Sequence, residues 1–131
     1  MLFNLEVLKI DPAQQLAKLS AFIVEQMNVV FRRKGIIVGL SGGIDSACIA
    51  AIAVHAMGKE KVMGLILPEN ESNPISSEYA IKHAKNLGIE HRQVNITSTV
   101  DSIVQYKWRD EFIQKLIPEY KPGYKYNITL P

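Results

Sequence analysis

The apolar positions change period along the chain, and each change marks an element. Leu16, Leu19, Ile23, Met27, Val30 and Phe31 recur at three- and four-residue spacing and make one face of a helix. Asp11-Pro12 opens it, with a carboxylate at the N-cap and proline at the first helical position. Arg32, Arg33 and Lys34 put positive charge at its negative end, and Gly35 is expected to stop it. Ile36-Ile37-Val38 is then an unbroken apolar run, the pattern of a parallel strand buried on both faces. From Ser46 to Met57 the chain is alanine-rich and apolar almost all round, which predicts a helix ending at Gly58, packed between a sheet and another layer.

Lys61 to Leu67 reads as a second buried strand, stopped by Pro68, with a polar loop from Glu69 to Ile75. A helix is expected from Ser76, with Ala80, Ile81, Ala84 and Leu87 as its inner stripe, His83 toward water and Gly88 past its end. Ile89 to Thr97 gives a third strand. Thr99 to about Ile117 gives a last helix with Val100, Ile103, Val104, Phe112 and Leu116 on its inner face. The order βαβαβα with short connections predicts an α/β fold: a parallel sheet, right-handed crossovers and helices on both faces, three layers in all. Residues 1–10 read as an extended arm. Pro118 to Pro131 holds three prolines and no periodicity, an irregular tail or the start of an insertion.

A chain of 131 residues is expected to form one domain with a real core. The net charge of +2 is too small to point to nucleic acid or a membrane surface. Six of the ten aromatic residues lie between Tyr106 and Tyr126 among basic side chains. They are expected to pack that segment rather than stack on bases. The single cysteine, Cys48, excludes an internal disulfide and is expected as buried filler. No apolar run is long enough to span a bilayer and no signal-peptide pattern opens the chain, so a cytoplasmic protein is expected. His55, in the last turn of the second helix, is expected to complement the helix dipole.

The chemistry concentrates in Gly39-Leu40-Ser41-Gly42-Gly43-Ile44-Asp45-Ser46-Ala47, a glycine turn between strand and helix. Its peptide N–H groups form an anion nest, and the helix behind it adds its positive end. Asp45 beside such a nest would repel a phosphate unless a cation lay between them, and carboxylate plus phosphate oxygens is a common Mg²⁺ environment. The loop is not a Walker A motif, since no lysine falls between Lys34 and Lys59. Nor is it G-x-G-x-x-G, because its glycines stand at 39, 42 and 43.

Ser41-Gly42-Gly43-Ile44-Asp45-Ser46 resembles the signature loop of the ATP pyrophosphatases. The run Val38 to Ala47, the helix before it opened by Lys9-Ile10-Asp11, and the strand end Leu67-Pro68 look most like NAD synthetase. The likeness covers residues 9 to about 100, as in the N-terminal half of a synthetase domain; Asn70 and Tyr79 depart from its pattern. It implies a Rossmann-like fold of the adenine nucleotide alpha hydrolase type, of which this chain would hold an incomplete part. It also implies an ATP-dependent amide ligase that adenylates deamido-NAD and amidates it with ammonia or glutamine-derived ammonia. ATP and Mg²⁺ are implied, Asp45 as the metal ligand, with no residue marked as general acid or base. Ser41, Gly42, Gly43 and Ser46 would hold the phosphates, with Gly39, Leu40 and Leu67 lining the nucleotide site. A homodimer and a glutaminase domain or subunit are implied for the whole protein, and the 131 residues alone would be inactive. GMP synthetase-like enzymes, tRNA-thiolating enzymes and a nucleotide-binding fragment without activity share the same loop.

Overall fold

Helix α1 (Pro12–Glu25) begins where its cap chemistry places it: Asp11 Oδ1 accepts from the amides of Ala13 and Gln14 at 3.0 and 3.1 Å. The computed structural model describes residues 9–103 and 105–121; the predicted arm up to residue 8 and the tail from 122 lie outside them. After Glu25 the helix widens into a π-helical segment, Gln26–Val30, in which Phe31 N–H donates to Gln26 O at 2.8 Å. Arg32 then turns left-handed, at φ 51°, and ends the helix before Gly35, correcting the expected stop.

Three strands follow: β1 (Ile36–Gly39), β2 (Val62–Ile66) and β3 (Glu90–Gln93). They pair in parallel in the order β1-β2-β3, with Val38 beside Gly64 and Gly64 beside His91. Between them run α2 (Ile44–Met57) and α3 (Pro74–Leu87), and a short 3₁₀ turn, Lys59–Lys61, leads into β2. The parallel α/β architecture is the one expected, and the sheet is small. β3 is half the expected length. α3 starts two residues before Ser76, because Asn73 caps it through a bond from Ile75 N–H at 3.1 Å and Pro74 occupies N1. Gly88, at φ 66°, closes it in the left-handed conformation that glycine adopts freely.

Both crossover helices pack on one face of this sheet. Ala50 and Ala53 of α2 and Ala80 and Ala84 of α3 are buried in the same cluster as Val38, Val62 and Ile66, which share one strand parity. That geometry follows from a strand order advancing in one direction with right-handed crossovers. The opposite parity carries Ile37 and Leu65, and Ile37 is 66% exposed while Val38 is 7%. The expected burial of β1 on both faces is therefore corrected. Small alanines let the helices approach closely, and Gly64 does the same for the sheet. A Cβ there would lie 2.6 Å from Leu40 Cδ1.

Helix α1 packs along α2, joined by a hydrogen bond of 2.9 Å between Ser20 Oγ and His55 Nδ1. Cys48 is exposed rather than buried, because the core side of α2 is the stripe of Ala50 and Ala53.

The described chain divides into two compact units, the first ending at Val94 and the second starting at Asn95. In the second, the expected long helix is two: α4 (Thr97–Ser102) and α5 (Gln105–Leu116). At its start Thr97 N–H donates to Asn95 Oδ1 at 2.9 Å, and Ile96 at the N-cap offers no side-chain bond. Phe112 and Leu116, expected on an inner face, are exposed; Val104 lies outside the described residues. Tyr120 is buried instead, its hydroxyl donating to Asp110 Oδ1 at 2.8 Å. Asp110 also accepts from Arg109, whose guanidinium stands over the Tyr106 ring at 5.3 Å.

Candidate functional site

The glycine turn leaves β1 at its carboxyl end, the edge where open α/β sheets bind ligands. Leu40 fixes the exit, buried beneath the turn with its N–H donating to Leu65 O at 2.8 Å. Gly42 then adopts φ 82°, and a Cβ on it would meet the Ser76 carbonyl oxygen at 2.2 Å. Glycine is required here for both reasons: the conformation strains any L side chain, and α3 leaves no room for one.

Two hydroxyls organise the loop interior. Ser46 Oγ accepts from Ser41 N–H at 3.2 Å and donates to Gly43 O at 3.0 Å. Ser41 Oγ lies 3.1 Å from Ser46 Oγ and accepts from Gly43 N–H at 3.3 Å. The two amide bonds lie at the long end of the N–H···O range, so an anion can take over their donors at little cost.

α2 starts at Ile44, two residues earlier than its apolar run suggests, with Gly43 at the N-cap and no side chain capping it. Asp45 thereby falls in the first turn, exposed, and its carboxylate makes no hydrogen bond or ion pair with any described residue. It neither caps α2 nor turns inward. Among the described residues no cluster of three or more His, Cys, Asp or Glu could hold a metal. A cation at Asp45 would need its remaining ligands from phosphate oxygens or water.

Beside the loop lies a cleft of about 260 Å³. One wall is Leu40, Ser41, Leu67 and Pro68, and the other is Ser72 and Asn73 with Ser76 and Ser77 from the start of α3. Leu40, Ser41 and Leu67 are thus brought together as expected. Gly39 does not line this cleft; it stands on the open parity of the sheet with nothing within 4 Å of where a Cβ would be. Ser76 and Ser77 are additions to the expected site. Their signal in the sequence was positional, since the segment after β2 lies at the same sheet edge. A larger depression, about 620 Å³, opens at the amino ends of the strands, away from the loop, with Lys34, Lys59, Lys61, Glu60 and Glu90 in its lining.

His83 is the other departure. It does not face water: Nε2 lies 2.9 Å from the Ala47 carbonyl in the first turn of α2.

The NAD synthase family model matches residues 15–119. The chain belongs to the NAD synthase family. An NH(3)-dependent NAD(+) synthetase of Rhizobium meliloti is 37% identical over 130 residues, which is 99% of this chain and 39% of that protein. Another, of Methanocaldococcus jannaschii, is 46% identical over 80 residues, 61% of this chain and 30% of that protein. The chain therefore spans about two fifths or less of these NAD synthase relatives. Among solved structures, an NH3-dependent NAD synthetase from Campylobacter jejuni superposes with a TM-score of 0.67 at 27% identity, over 85% of this chain and 52% of that one. An NMN synthetase from Francisella tularensis has the same TM-score at 28% identity, over 77% and 41%. A glutamine-dependent NAD+ synthetase from Acinetobacter baumannii, solved with ADP, gives 0.58 at 34%, over 76% and 19%. Among the described residues, no helix of this NAD synthase family chain is long and apolar enough to cross a membrane.

Proposed function

We propose that this chain carries the nucleotide-binding part of an ATP-dependent amide ligase that makes NAD from deamido-NAD and ammonia. The observation that carries the reading is the unpaired Asp45 carboxylate in the first turn of α2, beside loop amides held only by long, replaceable bonds. The carboxylate of deamido-NAD attacks the α-phosphorus of ATP, forming an acyl adenylate and releasing pyrophosphate. Ammonia then attacks the acyl carbon and AMP leaves, giving the amide.

In this scheme the amides of Ser41, Gly42 and Gly43 and the hydroxyls of Ser41 and Ser46 hold the departing phosphates. Asp45 holds Mg²⁺, which when bound neutralises charge building up on the pyrophosphate. Leu40 and Leu67 line the entry for the nucleotide, with Gly39 leaving open backbone beside it. The cleft of about 260 Å³ is below the ~300–1,000 Å³ of ligand sites that enclose a whole small molecule, so it suits part of a nucleotide. Ammonia rather than glutamine is the nitrogen source favoured by the relatives' names. The family match spans both compact units, which supports assigning them to one synthetase domain.

Calorimetric titration with ATP, with and without Mg²⁺, tests the reading. Binding should require Mg²⁺, and Asp45→Ala should abolish it with the fold intact. Unchanged affinity in that variant removes Asp45 from the site. A second reading, in which the acceptor is a mononucleotide, is favoured by the equal TM-score of the NMN synthetase structure. A third reading is nucleotide binding without turnover. Assaying AMP formation with each acceptor and ammonia separates all three.

A further inference from the structure

Helix α3 touches the loop and the start of α2 at two points. In its first turn the Ser76 carbonyl closes on Gly42, and two turns later His83 Nε2 reaches the Ala47 carbonyl at 2.9 Å. Seven residues at ~1.5 Å rise place these points about 10 Å apart along α3. A carbonyl only accepts, so Nε2 carries the proton and donates it. The Ala47 oxygen has two lone pairs, so the imidazole bond adds to the helical one without displacing it. His83 is half-buried, next to Ala84 on the packed stripe of α3. One contact alone would leave the loop free to pivot against α3; two contacts remove that freedom.

We propose that His83 is a positioning residue for the loop Ser41–Ser46. Asp45 and Ser46 precede Ala47 directly, so a tilt of the first turn of α2 displaces the metal-binding carboxylate and the loop hydroxyl together. The bond to Ala47 holds both where the phosphates arrive. This deepens the Mg-ATP reading above and rests on it. Leucine at position 83 fills the same space without a donor, whereas glutamine presents an amide N–H at nearly the reach of Nε2.

The test compares the wild-type chain with His83→Leu and His83→Gln by amide hydrogen exchange over residues 41–51 and by titration with Mg-ATP. In His83→Leu, exchange over this segment quickens about tenfold and the Kd for Mg-ATP rises about tenfold, the size expected for one lost hydrogen bond at a half-buried site. His83→Gln keeps both near wild type. If leucine fails to fold, His83→Ala takes its place with the same expected losses. Wild-type exchange and affinity in the leucine or alanine variant, or equal loss in the folded glutamine variant, overturns the positioning role. If wild type itself fails to bind Mg-ATP while the exchange effect is seen, the nucleotide reading falls and the hold of His83 on the loop stands.

Discussion

Gly42 and Ser76 meet main chain to main chain: a single added methyl on the glycine would stand 2.2 Å from the serine carbonyl oxygen. The loop and the first turn of α3 are thus one mechanical unit, and Gly42→Ala cannot be absorbed by a rotamer change. The left-handed φ adds about 1–2 kcal/mol for any L side chain. Backbone overlap adds more, so a loss on the order of 3 kcal/mol is expected unless the loop swings away from α3. Mg-ATP binding should be abolished in either case. Thermal unfolding and calorimetry together check this, and wild-type values in both would show that the contact does not constrain the loop.

Ser46→Ala separates loop chemistry from loop stability. The hydroxyl bridges Ser41 N–H and Gly43 O, but at an exposed site where water can replace it. Stability should fall by no more than about 1 kcal/mol, a few degrees in Tm. Affinity for Mg-ATP should fall about tenfold or more, because a hydrogen bond to a charged phosphate is worth roughly 1.5–3 kcal/mol. A variant with lowered Tm and unchanged Kd would make the serine purely structural.

Strand β1 pairs only with β2 among the described strands, and Ile37 stands 66% exposed beside its open edge. An unpaired edge with an apolar neighbour templates association. Sedimentation velocity should show the chain associating as concentration rises, and Ile37→Lys should shift it toward monomer. A clean monomer at high concentration in wild type would contradict this.

In the second unit, burial alone would raise the Asp110 carboxyl, yet hydrogen bonds from Arg109 and Tyr120 and the Arg109 charge outweigh it and hold the group below its usual range. A depressed carboxylate contributes stability above its unfolded pKa, ~3.9, and loses that contribution as pH falls through the folded value. Tyr120→Phe should therefore cost about 1 kcal/mol near pH 7, with the gap to wild type narrowing below about pH 4. Urea melts of both proteins at pH 7, 5 and 3 check it; a gap constant with pH would assign the effect to packing instead.

What the sequence determined by itself was everything set within a few residues of chain. Asp11-Pro12 opens α1, Gly88 closes α3, and the glycine turn joins β1 to α2, because caps and left-handed turns are local events. The place of Asp45 beside that turn was legible for the same reason. Periodicity counts apolar faces, but which face becomes covered depends on partners distant in sequence. Only the tertiary structure decided that Val38 is buried and Ile37 is not, since the strand order and crossover handedness put α2 and α3 on one side. It also exposed Cys48, turned His83 onto Ala47 across 36 residues, and seated Ser76 against Gly42. Those contacts arise when helices pack, and no local pattern encodes them.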